Sequence, residues 1–162
     1  MLLRLTAFAC ALAATLAAPL AARDSLGVYE SWAAFSDSSP RRCYAIAKAQ
    51  GKPSAPAYAT ISTWPERKVR GALHFVLSRE VADKASVRLV VGNTRFTLVA
   101  KGRNAWAKDA RDDAAIVAAL RSTARMSVSA SSAKGGTFTD RYTLAGVATA
   151  MDAATVGCAK RG

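Results

Sequence analysis

Apolar and polar residues alternate with a period of two through much of this chain, and no other feature limits its fold as strongly. Successive side chains of a β-strand point to opposite faces, so this alternation indicates strands with one buried face. Val87, Leu89 and Val91 alternate with Ser86, Arg88 and Val90, and residues 126–131 repeat the pattern. The sequence therefore predicts a mainly β protein with antiparallel strands that are half-buried.

Turn signals separate the alternating segments. Gly92-Asn93 favours a two-residue hairpin turn, and Lys134-Gly135-Gly136 favours a second hairpin. Residues 51–56 are rich in turn formers and indicate a loop. The predicted strands cover residues 32–36, 43–47, 58–62, 72–77, 86–91, 95–100, 126–131 and 137–144. Seven or eight short strands at this spacing favour a β-sandwich.

Two short helices are predicted beside the strands. Asp109 is a suitable N-cap for the first, and Asp112 and Asp113 place negative charge in its first turn. The second helix is predicted over residues 146–155, with Gly157 marking its end. We therefore expect a β-sandwich with peripheral helices.

The N-terminus has the three parts of a secretory signal peptide. Arg4 supplies the positive charge, residues 5–20 are uncharged, and small residues through Ala22 precede Arg23. We therefore expect cleavage between Ala22 and Arg23. Residues 23–162 would then form a single domain in the periplasm or outside the cell.

Other interpretations of the N-terminus are possible. The small-residue pattern also allows a cut after Ala17. A retained membrane helix would need about 20 apolar residues. This run is shorter and is interrupted by Pro19, and Cys10 lacks the preceding pattern of a lipoprotein. The mature chain then has no predicted transmembrane segment.

The cysteines indicate a covalent link in an oxidising compartment. Cys10 would leave with the signal peptide, so Cys43 and Cys158 remain. Two cysteines in an exported protein usually pair, which predicts a disulfide between the first strands and the C-terminal tail. Their spacing matches neither a redox motif nor a zinc site, so no metal or cofactor is expected.

The chain is strongly basic. It has 23 Lys and Arg residues against 11 Asp and Glu residues, a formal charge of +12, and loss of Arg4 leaves +11. Such a charge favours association with polyanions such as lipopolysaccharide or acidic polysaccharide. The densest basic sites are only pairs, Arg41-Arg42, Arg67-Lys68 and Lys160-Arg161, so no specific nucleic-acid binding is predicted.

Few residues point to catalysis. His74 is the one histidine, and its strand position places it opposite the apolar face, where we expect a structural or exposed side chain. Asp112 and Asp113 fit a helix start. Asp140 shares a strand face with aromatic residues, which predicts a buried ion pair with arginine or a place at the sheet edge. The sequence predicts no enzyme, although a carbohydrate-active enzyme with an unrecognised carboxylate pair is one alternative.

The three tryptophans have two interpretations. Trp32, Trp64 and Trp106 are expected in the core, as is usual for a sandwich of this size. The alternative is a sugar-binding face on which they lie together.

Three segments together suggest a family. They are SWAAFSDSSPRRCYAIAKAQ, GNTRFTLVAKGRNAWAKDARDDAAIVAALR and GGTFTDRYTLAGVATAMDAATVGC. In this order the chain resembles the invasion-associated locus B family of alphaproteobacterial exported proteins. The resemblance implies an immunoglobulin-like β-sandwich in the cell envelope, to which the helices predicted above add one or two peripheral short helices. It supplies no catalytic residues, and this chain departs from the family in its basic charge and in a compressed loop between Ala47 and Tyr58.

These observations lead to one functional expectation and one alternative. We expect an exported, non-enzymatic envelope protein that binds a protein partner, without a cofactor. The alternative is an envelope protein that binds a polyanion, because the charge is high.

Overall fold

The computed structural model describes residues 23–159, and the predicted signal peptide with Ala22 lies outside the described residues. Ten strands and two helices form this part of the chain. The strands are β1 (Arg23–Tyr29), β2 (Trp32–Ser38), β3 (Arg41–Lys48), β4 (Tyr58–Trp64), β5 (Val69–Val76), β6 (Val87–Val91), β7 (Thr94–Lys101), β8 (Asn104–Trp106), β9 (Arg125–Ser131) and β10 (Thr137–Thr143). The helices are α1 (Ala110–Leu120) and α2 (Val147–Ala159), and Pro65–Arg67 forms one turn of 3₁₀ helix.

The strands follow one another in a single hydrogen-bonded order, β1-β2-β3-β4-β5-β8-β7-β6-β9-β10. Every neighbouring pair is antiparallel. The mainly β prediction is therefore confirmed. The immunoglobulin-like sandwich is a finer statement that stays a prediction, because the hydrogen-bonded order runs through all ten strands.

Two strands were not predicted. Strand β1 contains Gly27, and its pairing with β2 shifts register between Ser25 and Gly27, so its alternation is irregular. Strand β8 has three residues, too few for a periodic signal. The count of seven or eight strands was therefore too low.

The inner face of the sheet encloses the core, because β10, the last strand of the order, lies against β5 and the start of β2. The rings of Phe75 on β5 and Tyr142 on β10 have centroids 5.8 Å apart. The Trp32 indole at the start of β2 donates a hydrogen bond to the carbonyl of Thr143, at 3.0 Å. Phe75, Tyr142 and Trp32 are all at least 99% buried. A twisted antiparallel sheet can close over its apolar side in this way.

Helix α1 begins as predicted. The Asp109 carboxylate accepts a hydrogen bond from the backbone N–H of Asp112 at 2.9 Å, and this interaction lowers the pKa of Asp109. Asp113, one residue further, accepts a hydrogen bond from the backbone N–H of Leu73 at 2.8 Å. Burial raises the pKa of Asp113 above its usual value. Thus Asp113 attaches the first turn of α1 to β5.

Helix α2 extends past its predicted end. Gly157 was expected to stop the helix, but the helix continues to Ala159. A side chain on Gly157 would collide with Leu26 of β1. Its glycine therefore allows close packing of helix on strand rather than a turn. Gly146, before the helix, has a positive φ of 86° and lies against the backbone of Tyr29.

The predicted pairing of Cys43 with Cys158 is present. It joins β3 to α2 with a Cα–Cα distance of 5.7 Å. The Arg41 guanidinium donates a hydrogen bond to the carbonyl of Cys158. A covalent bond and a polar contact therefore hold the end of α2 against the sheet.

Replacing both Cys43 and Cys158 by alanine should lower the free energy of unfolding by about 4 kcal/mol, since the bond closes a long loop in the unfolded chain. Urea denaturation of the parent protein, with its disulfide intact, and of the double variant would measure the difference. Reducing agent should lower the midpoint of the parent protein and leave that of the double variant unchanged. Equal midpoints for parent and variant would contradict this expectation.

Candidate functional site

Two of the carboxylates considered for catalysis, Asp113 and Asp140, have separate structural roles. Asp140 is 3% exposed, and its Oδ2 accepts a hydrogen bond from the backbone N–H of Ser78 at 2.8 Å. Asp113, in the first turn of α1, accepts a hydrogen bond from the backbone N–H of Leu73 on β5. The predicted ion pair of Asp140 with arginine was wrong, because among the described residues the carboxylate accepts a hydrogen bond from a backbone amide instead. The alternative position at the sheet edge is confirmed, since β10 is the last strand of the order. Each carboxylate connects two elements of the fold.

His74 lies on the outer face of the sheet, opposite the core, as predicted. Its Nε2 is 3.0 Å from Oδ1 of Asn104 on the neighbouring strand β8. Within the described range, 23–159, no group of three His, Cys, Asp or Glu side chains is placed to hold a metal ion. The contact with Asn104 gives His74 a structural partner on a solvent-facing surface.

A row of mostly apolar side chains crosses the outer face. Directly paired positions on seven strands form this outer row, namely Val28, Ala33, Ile46, Thr60, His74, Trp106 and Val99. Val28, Trp106 and Val99 are 73%, 36% and 42% exposed. Trp106 and Val99 are directly paired and both exposed, and adjoining exposed apolar side chains of this kind are typical of an interaction site.

Arginine and aromatic side chains stack beside the outer row. The guanidinium carbon of Arg42 lies 4.1 Å from the centroid of Tyr44 and 5.1 Å from that of Trp64. Arg67 lies 5.0 Å from Trp64, and Arg23 lies 5.8 Å from Tyr44. We call these five residues the arginine–aromatic cluster. Such cation–π geometry holds planar cations against ring faces.

Arg42 is the centre of this cluster. Its Nε and Nη2 donate hydrogen bonds to Oγ of Ser62 at 3.2 and 3.0 Å. Burial lowers the pKa of Arg42 and raises the pKa of the Tyr44 phenol. Both shifts have the direction that removal from water produces.

A small cavity adjoins the cluster. Its volume is about 360 Å³, and it is lined by Arg23, Asp37, Ser39, Pro40, Arg42 and Trp64. Arg23 Nε donates to Asp37 Oδ1 at 3.0 Å, and this hydrogen bond raises the pKa of Arg23. The cavity thus combines two cations, one carboxylate and a tryptophan ring.

The tryptophan prediction was correct for one residue of three. Trp32 is in the core, whereas Trp64 and Trp106 lie on the outer face. Strand alternation explains Trp106, because its neighbours Ala105 and Ala107 are buried. The alternation of buried and exposed positions around Trp106 could be predicted from the sequence. The contact of Arg42 with Trp64 could not be predicted, because the two residues are far apart along the chain.

Comparisons with models of known families, with curated proteins and with solved structures find no match to this chain. The resemblance to invasion-associated locus B proteins therefore stays a proposal. Among the residues described, no helix is long and apolar enough to cross a membrane.

Arg42→Lys should lower the free energy of unfolding by about 1–2 kcal/mol, because an ammonium group cannot reproduce both the stacking and the paired hydrogen bonds. Arg67→Lys is the matched control. Arg67 is exposed and stacks on one ring, so its change should cost less than about 0.5 kcal/mol. Urea denaturation would compare the two, and equal losses would contradict the central role of Arg42.

Proposed function

We propose that this chain is an exported, non-enzymatic protein of the bacterial envelope that binds a protein partner through the outer face of its sheet. The observation that carries this proposal is the outer row, in which Val28, Trp106 and Val99 remain exposed. The proposal includes secretion by the N-terminal segment and a likeness to invasion-associated locus B proteins, with no cofactor.

The composition of the surface supports a protein partner. Aromatic and arginine residues are enriched in protein interfaces, whereas lysine and acidic residues are depleted from interface centres. Trp106 lies within the outer row, and Arg42 and Trp64 lie beside it. Rigid aromatic side chains such as these are frequent anchors of binding energy. The backbone beneath them is paired on both sides, so the side chains are held in place before binding.

Val99→Glu should abolish partner binding while the protein stays folded. The substitution puts a charge beside Trp106 at one end of the outer row, and we expect at least a tenfold loss of crosslinked partner. The experiment is in-cell crosslinking of the tagged protein, followed by purification from the envelope at high salt.

The matched control is Val156→Glu. Val156 is a valine of similar exposure, 49% against 42% for Val99, but it lies on α2 away from the outer row. This variant should recover the partner at the parent yield. Full recovery with Val99→Glu, or equal loss with both variants, would contradict binding through the outer row.

The arginine–aromatic cluster favours a second candidate function, binding of an envelope polyanion such as lipopolysaccharide or acidic polysaccharide. Guanidinium groups recognise carboxylates and phosphates, and aromatic rings stack on sugars or cations. Arg23 and Arg67 are both exposed, so an anionic group can reach their guanidinium groups from solvent. The formal charge of +12 supports this alternative.

Polyanion binding would weaken steeply with salt, because bound counterions are released on association. The double change Arg23→Gln and Arg67→Gln should lower affinity for lipopolysaccharide about tenfold at low salt and make the salt dependence shallower. Arg88→Gln with Arg111→Gln removes the same charge from exposed positions elsewhere. If both pairs weaken binding equally, net charge rather than the cluster is responsible.

A further inference from the structure

A large cleft opens on the helical side of the protein, away from the outer row. It lies between α1 and α2 beside strands β4 and β5, and its volume is about 870 Å³. Small-molecule sites commonly have volumes of about 300–1,000 Å³. The cleft is therefore large enough for a ligand, and none of the functions considered above uses it.

The floor of the cleft is apolar. Ile61, Met151 and Ala154 lie at its base and are each at least 95% buried, and Val117 of α1 forms one wall. The remaining α1 wall consists of Ala114 and Ala118. These short side chains leave space between the helices that larger residues would fill.

The rim of the cleft is basic. Lys68 and Arg70, beside the 3₁₀ turn, lie at one side, and Arg121 at the end of α1 lies at the other. Arg121 Nη2 is 2.6 Å from Asp152 Oδ1 on α2, so this ion pair connects the two helices at the margin of the cleft. Among the described residues that line the cleft, none is acidic.

We propose that this cleft binds a single-chain amphiphile with an anionic head, of the fatty-acid type. The alkyl chain would cover the apolar floor, and transfer of its methylene groups out of water would favour binding. The carboxylate would lie at the rim near Lys68, Arg70 and Arg121. The charge of the rim complements this ligand and disfavours a basic occupant, including a second copy of this basic chain.

Isothermal titration of the whole mature chain with decanoate, decanol and acetate tests both parts of the proposal. Decanoate should bind at one site about tenfold more tightly than decanol, and acetate should show no saturable binding at the same concentrations. Decanol equal to decanoate would overturn recognition by the basic rim. No saturable decanoate binding would overturn the proposal altogether.

Two alanines of α1 provide a matched pair of variants. Ala118→Glu places a carboxylate in the cleft, whereas Ala115→Glu places the same side chain on the same helix outside it. Both positions are exposed, and glutamate is compatible with a helix, so both proteins should fold. We expect Ala118→Glu to weaken decanoate binding at least tenfold and Ala115→Glu to leave it unchanged. Equal weakening would overturn the location of the site.

A second pair of variants tests the basic rim. Arg70→Gln should weaken decanoate binding about fivefold to tenfold and leave decanol binding unchanged, while Arg88→Gln, outside the cleft, should change neither. A loss of decanoate binding with Arg88→Gln as large as with Arg70→Gln would show that net charge is responsible and would overturn the proposal.

Flotation with anionic phosphatidylglycerol vesicles separates a monomeric ligand from a membrane surface. The proposal expects decanoate to bind in solution without vesicles. Flotation of the protein without any binding of monomeric decanoate would overturn the proposal in favour of membrane attachment.

Sedimentation over a range of protein concentrations tests whether a second copy of the chain occupies the cleft. Self-association that Ala118→Glu abolishes would identify a second copy as the occupant and would overturn the proposal. The outer-row variant Val99→Glu should bind decanoate normally, so this inference and the proposed function can fail independently.

Discussion

The core of this protein depends on closing one sheet over its apolar face. The last strand of the order, β10, lies against β2 and the segment after β5, and this closes the sheet over that face. The backbone N–H of Ser78 reaches the buried carboxylate of Asp140, and the indole of Trp32 reaches the carbonyl of Thr143. A buried polar group without a partner is costly, so these contacts favour one arrangement of the two ends. The Phe75 and Tyr142 rings then pack between them.

Helix α2 and the disulfide complete this closure. The helix covers the strands at the β1 end, and its Gly157 lets it approach Leu26 closely. The bond from Cys43 to Cys158 prevents the helix from leaving without distorting β3. Helix α2 is thereby part of the core, with Met151, Ala154 and Cys158 buried. The Arg121–Asp152 ion pair joins α1 to α2 at the margin of the cleft. Next to this ion pair, the short side chains of Ala114 and Ala118 leave the space between the helices unfilled, and this space is the cleft.

Local features of the sequence were sufficient to predict much of this fold. The Gly92-Asn93 turn, the cap at Asp109 and the alternation of strands are set by neighbouring residues, and all are present. The disulfide was predictable because Cys10 lies in the expected signal peptide, and the other two cysteines of the sequence leave one pairing. Strand β8 was not predictable, because a strand of three residues shows no periodic pattern. The length of α2 was not predictable either, because Gly157 is required by its contact with Leu26 on a distant strand and does not end the helix. Long-range packing decided those cases.

The candidate surfaces show the same division. The outward direction of Trp106 follows from strand parity, but its alignment with Val28 requires the register of all the intervening strands. The stacking of Arg42 between Tyr44 and Trp64 likewise depends on pairing across strands. Charge alone therefore says little about this protein, because what matters is which cations the fold places beside apolar surface. It does so twice, with stacked guanidiniums on the sheet face and with a basic rim above an apolar floor between the helices. The two surfaces adjoin at the Pro65–Arg67 turn, since Pro65 lines the cleft and Arg67 belongs to the arginine–aromatic cluster.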